Sequence, residues 1–342
     1  MLIRSRAPMR LGLAGGGTDL SPYCDQHGGA VLNVTIGQYV YTTLEPLTGD
    51  AVEFVSTDMG VSRAFPLAPA LPVDHDLALH AGVYNRIVRD YCDGKPMPLR
   101  ISTFSEAVPG SGLGSSSTVV VSMLKAYTEY LGLPLGDYDT GHLAFEIERI
   151  DLGLAGGRQD QYAATFGGFN FMEFYADDRV IVNPLRVKNW ITSELESSLV
   201  LFFTGKSRSS ATIIQEQSKN ISSGTGKSLE ATHQLKRDAY AMKEAVLKGN
   251  IGNFTEILNR SWLAKRQTAD SISNPMIDRV FEVAIQAGAL GGKVSGAGGG
   301  GFIMFVVDPM RRSDVLSALA GCDGQAMNCH FTHRGMEGWR IG

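Results

Sequence analysis

Apolar positions along this chain change their spacing several times, and each change predicts an element. Residues 31–36, 39–45 and 52–56 run or alternate with β-branched and aromatic side chains, the period of strands, and Thr48-Gly49-Asp50 supplies a turn. Leu77, Ala81, Tyr84, Ile87, Val88 and Tyr91 recur at helical spacing and predict a helix over 77–91. A strand at 99–104 precedes helices over 118–131 and 137 to about 150, then strands at 168–174 and 180–185. Beyond Trp190 the texture changes. One strand, 199–203, leads into helical pattern from about 211 through 263 and again over 275–287, and strand 301–307, helix 311–320 and strand 326–332 close the chain. The pattern reads as α+β with a boundary near residue 190, and no repeat of 20–50 residues is visible.

With 342 residues, 44% of them hydrophobic, the chain can bury more than one core. A net charge of −4 gives no basic footprint for nucleic acid, and no apolar run is long enough to span a bilayer. The start, MLIRSRAPMR, lacks the apolar core of an export signal, and Cys24, Cys92, Cys322 and Cys329 form no CxxC pair, which suits reduced thiols in a cytoplasm. Glycine changes the picture. The chain has forty glycines, and they are densest at 12–17, 110–114 and 291–301, where tight apolar flanks mark structured loops between packed elements.

The second cluster, Pro109-Gly110-Ser111-Gly112-Leu113-Gly114-Ser115-Ser116-Ser117, runs straight into a helical pattern and reads as an anion cradle. Glycines let backbone N–H groups approach a phosphate, a helix start adds unpaired donors, and serine hydroxyls reach phosphate or a metal ion. Nucleotide binding is the first expectation, a plain Gly/Ser turn the alternative. The GxxxxGK[ST] loop is disfavoured, because Ser115 stands where it requires Lys. In the first cluster, Arg10 lies inside an apolar strand and Asp19 follows the glycines, where an Asp equally caps a following helix. Glu146, Glu148, Asp151 and Asp160 fall close together. Glu146 and Asp151 suit a solvated face, whereas Asp160, in Gly156-Gly157-Arg158-Gln159-Asp160-Gln161, could accept a proton from a substrate hydroxyl. Thr204-Gly205-Lys206-Ser207-Arg208-Ser209-Ser210 fits a substrate phosphate or a surface loop, and Ser295 to Gly301 brings backbone close to a ligand or another loop. Cys329, His330 and His333 invite a metal reading, but on a strand the two histidines point to opposite faces.

In this order, APMRLGLAGGGTDL, PGSGLGSSS and KVSGAGGGG resemble the three signature segments of the GHMP kinases, the superfamily of galactokinase and mevalonate kinase, and GGRQDQ resembles its catalytic-aspartate region. The resemblance covers nearly the whole chain. It implies a two-domain α+β fold, with an N-terminal ribosomal-protein-like α/β domain over 1–190 and a C-terminal ferredoxin-like domain with extra helices over 191–342. It implies ATP-dependent phosphoryl transfer with Mg2+: Pro109, Gly110, Ser111, Gly112, Leu113, Gly114, Ser115, Ser116 and Ser117 around the triphosphate, and Ser116 or Ser117 with Glu148 on the metal. Asp160 would orient and deprotonate the acceptor hydroxyl, with Arg10 stabilising developing charge. The acceptor would lie against Gly16, Gly17, Thr18, Asp19, Arg158, Gln159, Gly296, Gly298 and Gly299, with Lys206 and Arg208, and Arg158 as a further candidate, on its distal phosphate. Galactokinases carry Glu-His where this chain has Gly16-Gly17, which opens room for a larger sugar. LAGGGTD, GGRQDQ and TGKSRSS are most similar to the branch acting on a heptose phosphate. A sugar phosphate and ATP are thus the expected partners, with no nucleic acid, no membrane, a cytoplasmic location and a homodimer left open. Fucose or galactose as acceptor, or a non-catalytic sugar and ATP sensor, are the alternatives.

Overall fold

The strand-patterned segments gather into two sheets in a computed structural model that describes residues 2–108, 110–205, 210–222 and 226–342. In chain order the strands are β1 (Leu2–Ala14), β2 (Gly29–Pro46), β3 (Ala51–Ser56), β4 (Val61–Pro66), β5 (Leu99–Ser105), β6 (Phe169–Phe174), β7 (Val180–Pro184), β8 (Leu199–Phe203), β9 (Ala289–Val294), β10 (Phe302–Val307), β11 (Gln325–Asn328) and β12 (Glu337–Ile341). The helices are α1 (Tyr23–His27), α2 (Ala78–Tyr91), α3 (Ser115–Leu131), α4 (Asp137–Glu146), α5 (Gln159–Phe166), α6 (Asn189–Ser198), α7 (Ser210–Ser222), α8 (Gly226–Lys248), α9 (Ile251–Arg266), α10 (Pro275–Gln286) and α11 (Arg312–Leu319).

The first sheet runs β12-β1-β2-β5-β3-β4, with β6 on β2 and β7 on β6; the second runs β11-β8-β10-β9. Where two strands were expected over 31–45, β2 is one strand of 18 residues. Its first half pairs with β6 and its second with β5, and between them its register against β1 jumps from Pro8↔Tyr39 to Arg10↔Thr35. Proline lacks the N–H a regular ladder needs, so Pro8 belongs at such an irregularity. Arg10 N is thereby free to donate to Leu113 O in the second glycine loop (3.1 Å). The bulge aims Arg10 at the site.

Burial explains the apolar runs beyond residue 190. Leu199 and Leu201 of β8, with Met304 and Val306 of β10, pack toward Met9, Leu11 and Leu13 of the first sheet and Met242 and Leu258 of α8 and α9. Their neighbours Val200, Phe202, Ile303 and Phe305 face the opposite way, onto α10 and α11. A strand buried on both faces loses its alternation, so β10 reads as six consecutive apolar residues. A separate core lies under α2, α3 and α4 against Ile3, Leu44 and Phe54.

The chain's last segment departs from expectation. The strand expected over 326–332 ends at Asn328, after which the backbone crosses to the first sheet: Gly37 N donates to His330 O (2.8 Å) and Thr332 N to Thr35 O (3.0 Å). β12 then pairs antiparallel with β1. The tail therefore joins the sheet that the first residues built. The helix expected to run to about 150 ends at Glu146 and continues as a π turn, Ile147–Asp151.

Candidate active site

The three glycine clusters meet in one cleft of about 270 Å3, lined by Arg10, Gly16, Gly112, Glu148, Asp160 and Gly298 among others. The second cluster leads from β5 into α3, and Gly114, at φ 76°, turns the chain into the helix. Helix α3 starts at Ser115, three residues before the apolar pattern begins, so the serines form its first turn. N–H groups there lie outside the intrahelical ladder and suit an anion. The third cluster locks onto the second by backbone contact. A Cβ at Gly112 (φ 81°) would stand 2.6 Å from Ser295 O, Ser295 Oγ donates to Gly112 O (3.1 Å), and Phe302 N donates to Ser111 O (2.9 Å).

Asp160, in the first turn of α5, sits against the end of this cradle: a Cβ at Gly114 would come 3.2 Å from its Oδ2. Arg10 grips the other oxygen, with Nε 2.7 Å and Nη2 2.6 Å from Oδ1, while its Nη1 donates to Gly112 O at 2.6 Å. Among the described residues nothing donates to Asp160 Oδ2, which leaves it as an acceptor facing the cradle. Glu148, in the π turn, is buried; Ser116 Oγ donates to its Oε1 (2.9 Å), Gln161 Nε2 to its Oε2 (2.5 Å), and Arg149 Nη1 lies 3.7 Å away. A π turn shifts the helical register locally, and here it turns Glu148 inward.

Asp19 caps a helix, though not the one that follows it. Its Oδ2 accepts from Arg158 N (3.0 Å) and Gln159 N (3.2 Å) at the start of α5, and its Oδ1 from Gly17 N and Gln159 Nε2 (3.2 Å each). The carboxylate ties the first glycine loop to the helix carrying Asp160.

The structure does not bring every expected residue into the cleft. Thr18 is buried, with its hydroxyl on Gly15 O (2.8 Å) and Ala30 O (2.9 Å). Ser111 and Leu113 are fully buried, and neither they nor Gly299, whose carbonyl accepts from Asn274 Nδ2 (3.0 Å), line it. Arg158 turns its guanidinium to Asp178 (2.8 Å) and Asp25 (3.3 Å), because that acidic pair lies beside it. Glu146 and Asp151 stay in contact with solvent, as expected of a face, and from there they also clamp the buried Arg86 at 2.8 and 2.7 Å. Pro109, Lys206 and Arg208 lie outside the described residues. Among the described residues no group of three or more His, Cys, Asp or Glu is placed to hold a metal ion.

Two cleft residues carry no sequence signal. Lys265, near the end of α9, and Gln217, on α7, sit in helical stretches where charged or amide side chains ordinarily face water, yet both are buried. Burial lowers the Lys265 ammonium to about 8, against the pull of Asp19 and Asp160. Beneath the cleft, burial lowers Lys293 to about 7; its Nζ donates to Gly12 O (3.0 Å).

Residues 78–168 match the GHMP kinases N terminal domain and residues 242–323 the GHMP kinases C terminal. The chain is 48% identical, over 99% of both chains, to the D-glycero-alpha-D-manno-heptose 7-phosphate kinase of Campylobacter jejuni. A crystal structure of a D-glycero-D-manno-heptose 1-phosphate kinase from Bacteroides thetaiotaomicron superposes with a TM-score of 0.85, at 46% identity and 99% coverage of each chain. A Lactococcus lactis galactokinase complexed with galactose superposes at a TM-score of 0.74 over 98% of this chain and 95% of its own; at 18% identity this is likeness of fold.

Proposed function

This chain belongs to the GHMP kinases, and from that premise we propose that it transfers the γ-phosphoryl group of ATP to the anomeric hydroxyl of D-glycero-D-manno-heptose 7-phosphate, giving the 1,7-bisphosphate. The two heptose-kinase relatives carry different positions in their names, 7 and 1. One reaction accommodates both: the acceptor already carries phosphate at position 7, and position 1 receives the new one.

The observation that supports this reading best is the contact between Asp160 and the Gly114 end of the cradle, with Arg10 spanning both. The sugar hydroxyl oxygen bonds to the γ-phosphorus, the bond from that phosphorus to the bridging oxygen breaks, and ADP leaves. Asp160 Oδ2 receives the hydroxyl proton. Arg10 holds Oδ1 and Gly112 O together, so base and cradle keep one separation while a cation stands beside the developing charge. Such positioning and charge neutralisation supply most of the rate in phosphoryl transfer.

The residues present fit Mg2+. Glu148 and Ser116 offer hard oxygen donors in contact at the cradle, and Ser117 lies one residue on. With Glu148 the single acidic ligand assigned and no group of three His, Cys, Asp or Glu placed to hold a metal among the described residues, the ion would complete its shell with nucleotide phosphates and water, as Mg2+ commonly does. Bound there, it would neutralise charge on the β- and γ-phosphates. No helix among the described residues is long and apolar enough to cross a membrane, and a cytoplasmic location fits a consumer of ATP and a sugar phosphate.

A coupled ADP-release assay across heptose 7-phosphate, free heptose, galactose and fucose tests the reading. Heptose 7-phosphate is expected to give the highest kcat/KM. Preference for a free sugar, or no ADP from any of them, overturns it.

A further inference from the structure

Two adjacent glycines leave a notch in the cleft wall, and three nitrogen donors border it. A Cβ on Gly16 would stand 3.8 Å from Gln159 Nε2 and 3.9 Å from Lys265 Nζ, and one on Gly17 would stand 3.8 Å from Gln217 Nε2. The partners fix both amide orientations. Gln159 turns its NH2 to the Asp19 carboxylate (3.2 Å), and Gln217 donates to Thr268 Oγ1 (2.8 Å), whose own proton goes to the Lys265 carbonyl (2.8 Å). Each amide keeps a second N–H. The Lys265 ammonium keeps two after its single long bond to Gly16 O (3.4 Å).

Lys265 is the informative member. Its side chain is only 2% exposed, and no carboxylate among the described residues pairs with it. The acids closest in influence are already engaged: Asp19 accepts four N–H bonds, and Asp160 is gripped by Arg10. A buried ammonium without a paired anion is costly, so the position suits an anion that arrives with a ligand. A neutral hydroxyl would leave most of these donors unmatched, whereas a phosphate offers oxygens for all of them. The other basic side chains nearby are engaged: Arg158 is held by Asp178 and Asp25 outside the cleft, Arg10 grips Asp160, and Arg149 donates to Gly157 O (3.2 Å) and Leu154 O (3.4 Å).

The geometry points to this notch as the seat of the acceptor's own phosphate monoester, with Lys265 as counter-ion and Gln159 and Gln217 as further donors. The assignment rests on the functional reading above and concerns the end of the substrate that does not react. The empty space at Gly16 and Gly17 and the charge of Lys265 are then two halves of one specificity device: the glycines admit the group, and the lysine selects its charge.

Steady-state kinetics with heptose 7-phosphate and free heptose, at saturating ATP, test it on the full-length wild type, Lys265→Met, Lys265→Arg and Gln217→Ala. Loss of a buried charge pair is expected to raise the KM for the sugar phosphate about a hundredfold in Lys265→Met and to abolish its advantage over free heptose, while the KM for ATP changes about twofold or less. Lys265→Arg should recover part of the preference. Thermal unfolding and nucleotide binding report whether each variant is folded, and Gln217→Ala reads the same notch without removing a buried charge. A wild type that prefers the free sugar overturns both the functional reading and this assignment. A wild type that prefers the phosphate, with Lys265→Met keeping that preference, overturns the assignment alone, as does an equal rise in KM for both sugars or a rise confined to ATP.

Discussion

Asp160 is constrained at one oxygen and, among the described residues, open at the other, which is the arrangement a proton acceptor needs. Asp160→Asn keeps the shape and gives up the charge. A well-placed general base contributes on the order of 10²- to 10⁴-fold, so kcat should fall by at least that range while calorimetric ATP binding persists; near-normal turnover would remove Asp160 from this role. Lys293 makes a prediction in pH. Its folded value of about 7 lies below the roughly 10.4 of an unfolded lysine, so the cost of the buried charge is complete below pH 7. As pH rises from there toward 10 the native state has released its proton and the unfolded state has not, so that cost is relieved. Lys293→Met should therefore raise the melting temperature most at pH 6, with an advantage that shrinks toward pH 9. An advantage independent of pH would show that the burial of this charge does not govern stability. At this scale Arg10 and Asp160 were legible because polar residues interrupt an apolar or glycine-rich context, whereas Glu148 was legible only through the family resemblance. Lys265 was not, because nothing in its neighbours along the helix distinguishes a lysine facing water from one facing a cleft.

Among elements, the start of α5 and the first glycine loop act as one piece through Asp19. Gly157 makes that possible: a Cβ there would collide with the Asp19 carboxylate, and the clash lies in the contact rather than in the backbone angle. Gly157→Ala is expected to push Asp19 off the start of α5 and lower kcat on the order of a hundredfold, since misplacement of about 1 Å has that effect, with ATP affinity retained. A variant with unchanged kcat would mean that Asp19 does not set the position of Asp160. The π turn after α4 works similarly by turning Glu148 inward between Ser116 and Gln161. Glycine density announced that the loops were special, yet the partner of each loop was hidden. Gly112 and Ser295 lie far apart in the chain, and their contact is decided only when β5 and β10 are placed.

For the whole molecule, β12 closes the first sheet by covering β1, and Arg6 of β1 pairs with Glu337 of β12 (2.7 Å). Removing residues 335–342 would leave the 13-residue β1 as an open edge with unpaired backbone groups. The truncated chain is expected to melt several degrees lower and to aggregate on heating, checked by calorimetry and light scattering; an unchanged melting temperature would show that β12 contributes nothing to the sheet. Arg10 stands on the covered strand, so activity should fall in parallel with stability. The sequence by itself determined the α+β class, most element positions, the three glycine loops and the aspartate, because hydrophobic period, glycine content and local polarity are properties of neighbours in the chain. Tertiary structure alone decided that β12 returns to β1, that Asp19 caps a helix 140 residues away, and that Lys265 is buried in the wall of the cleft. Those are contacts between distant segments, and their energies depend on which surfaces exclude water together rather than on which residues adjoin.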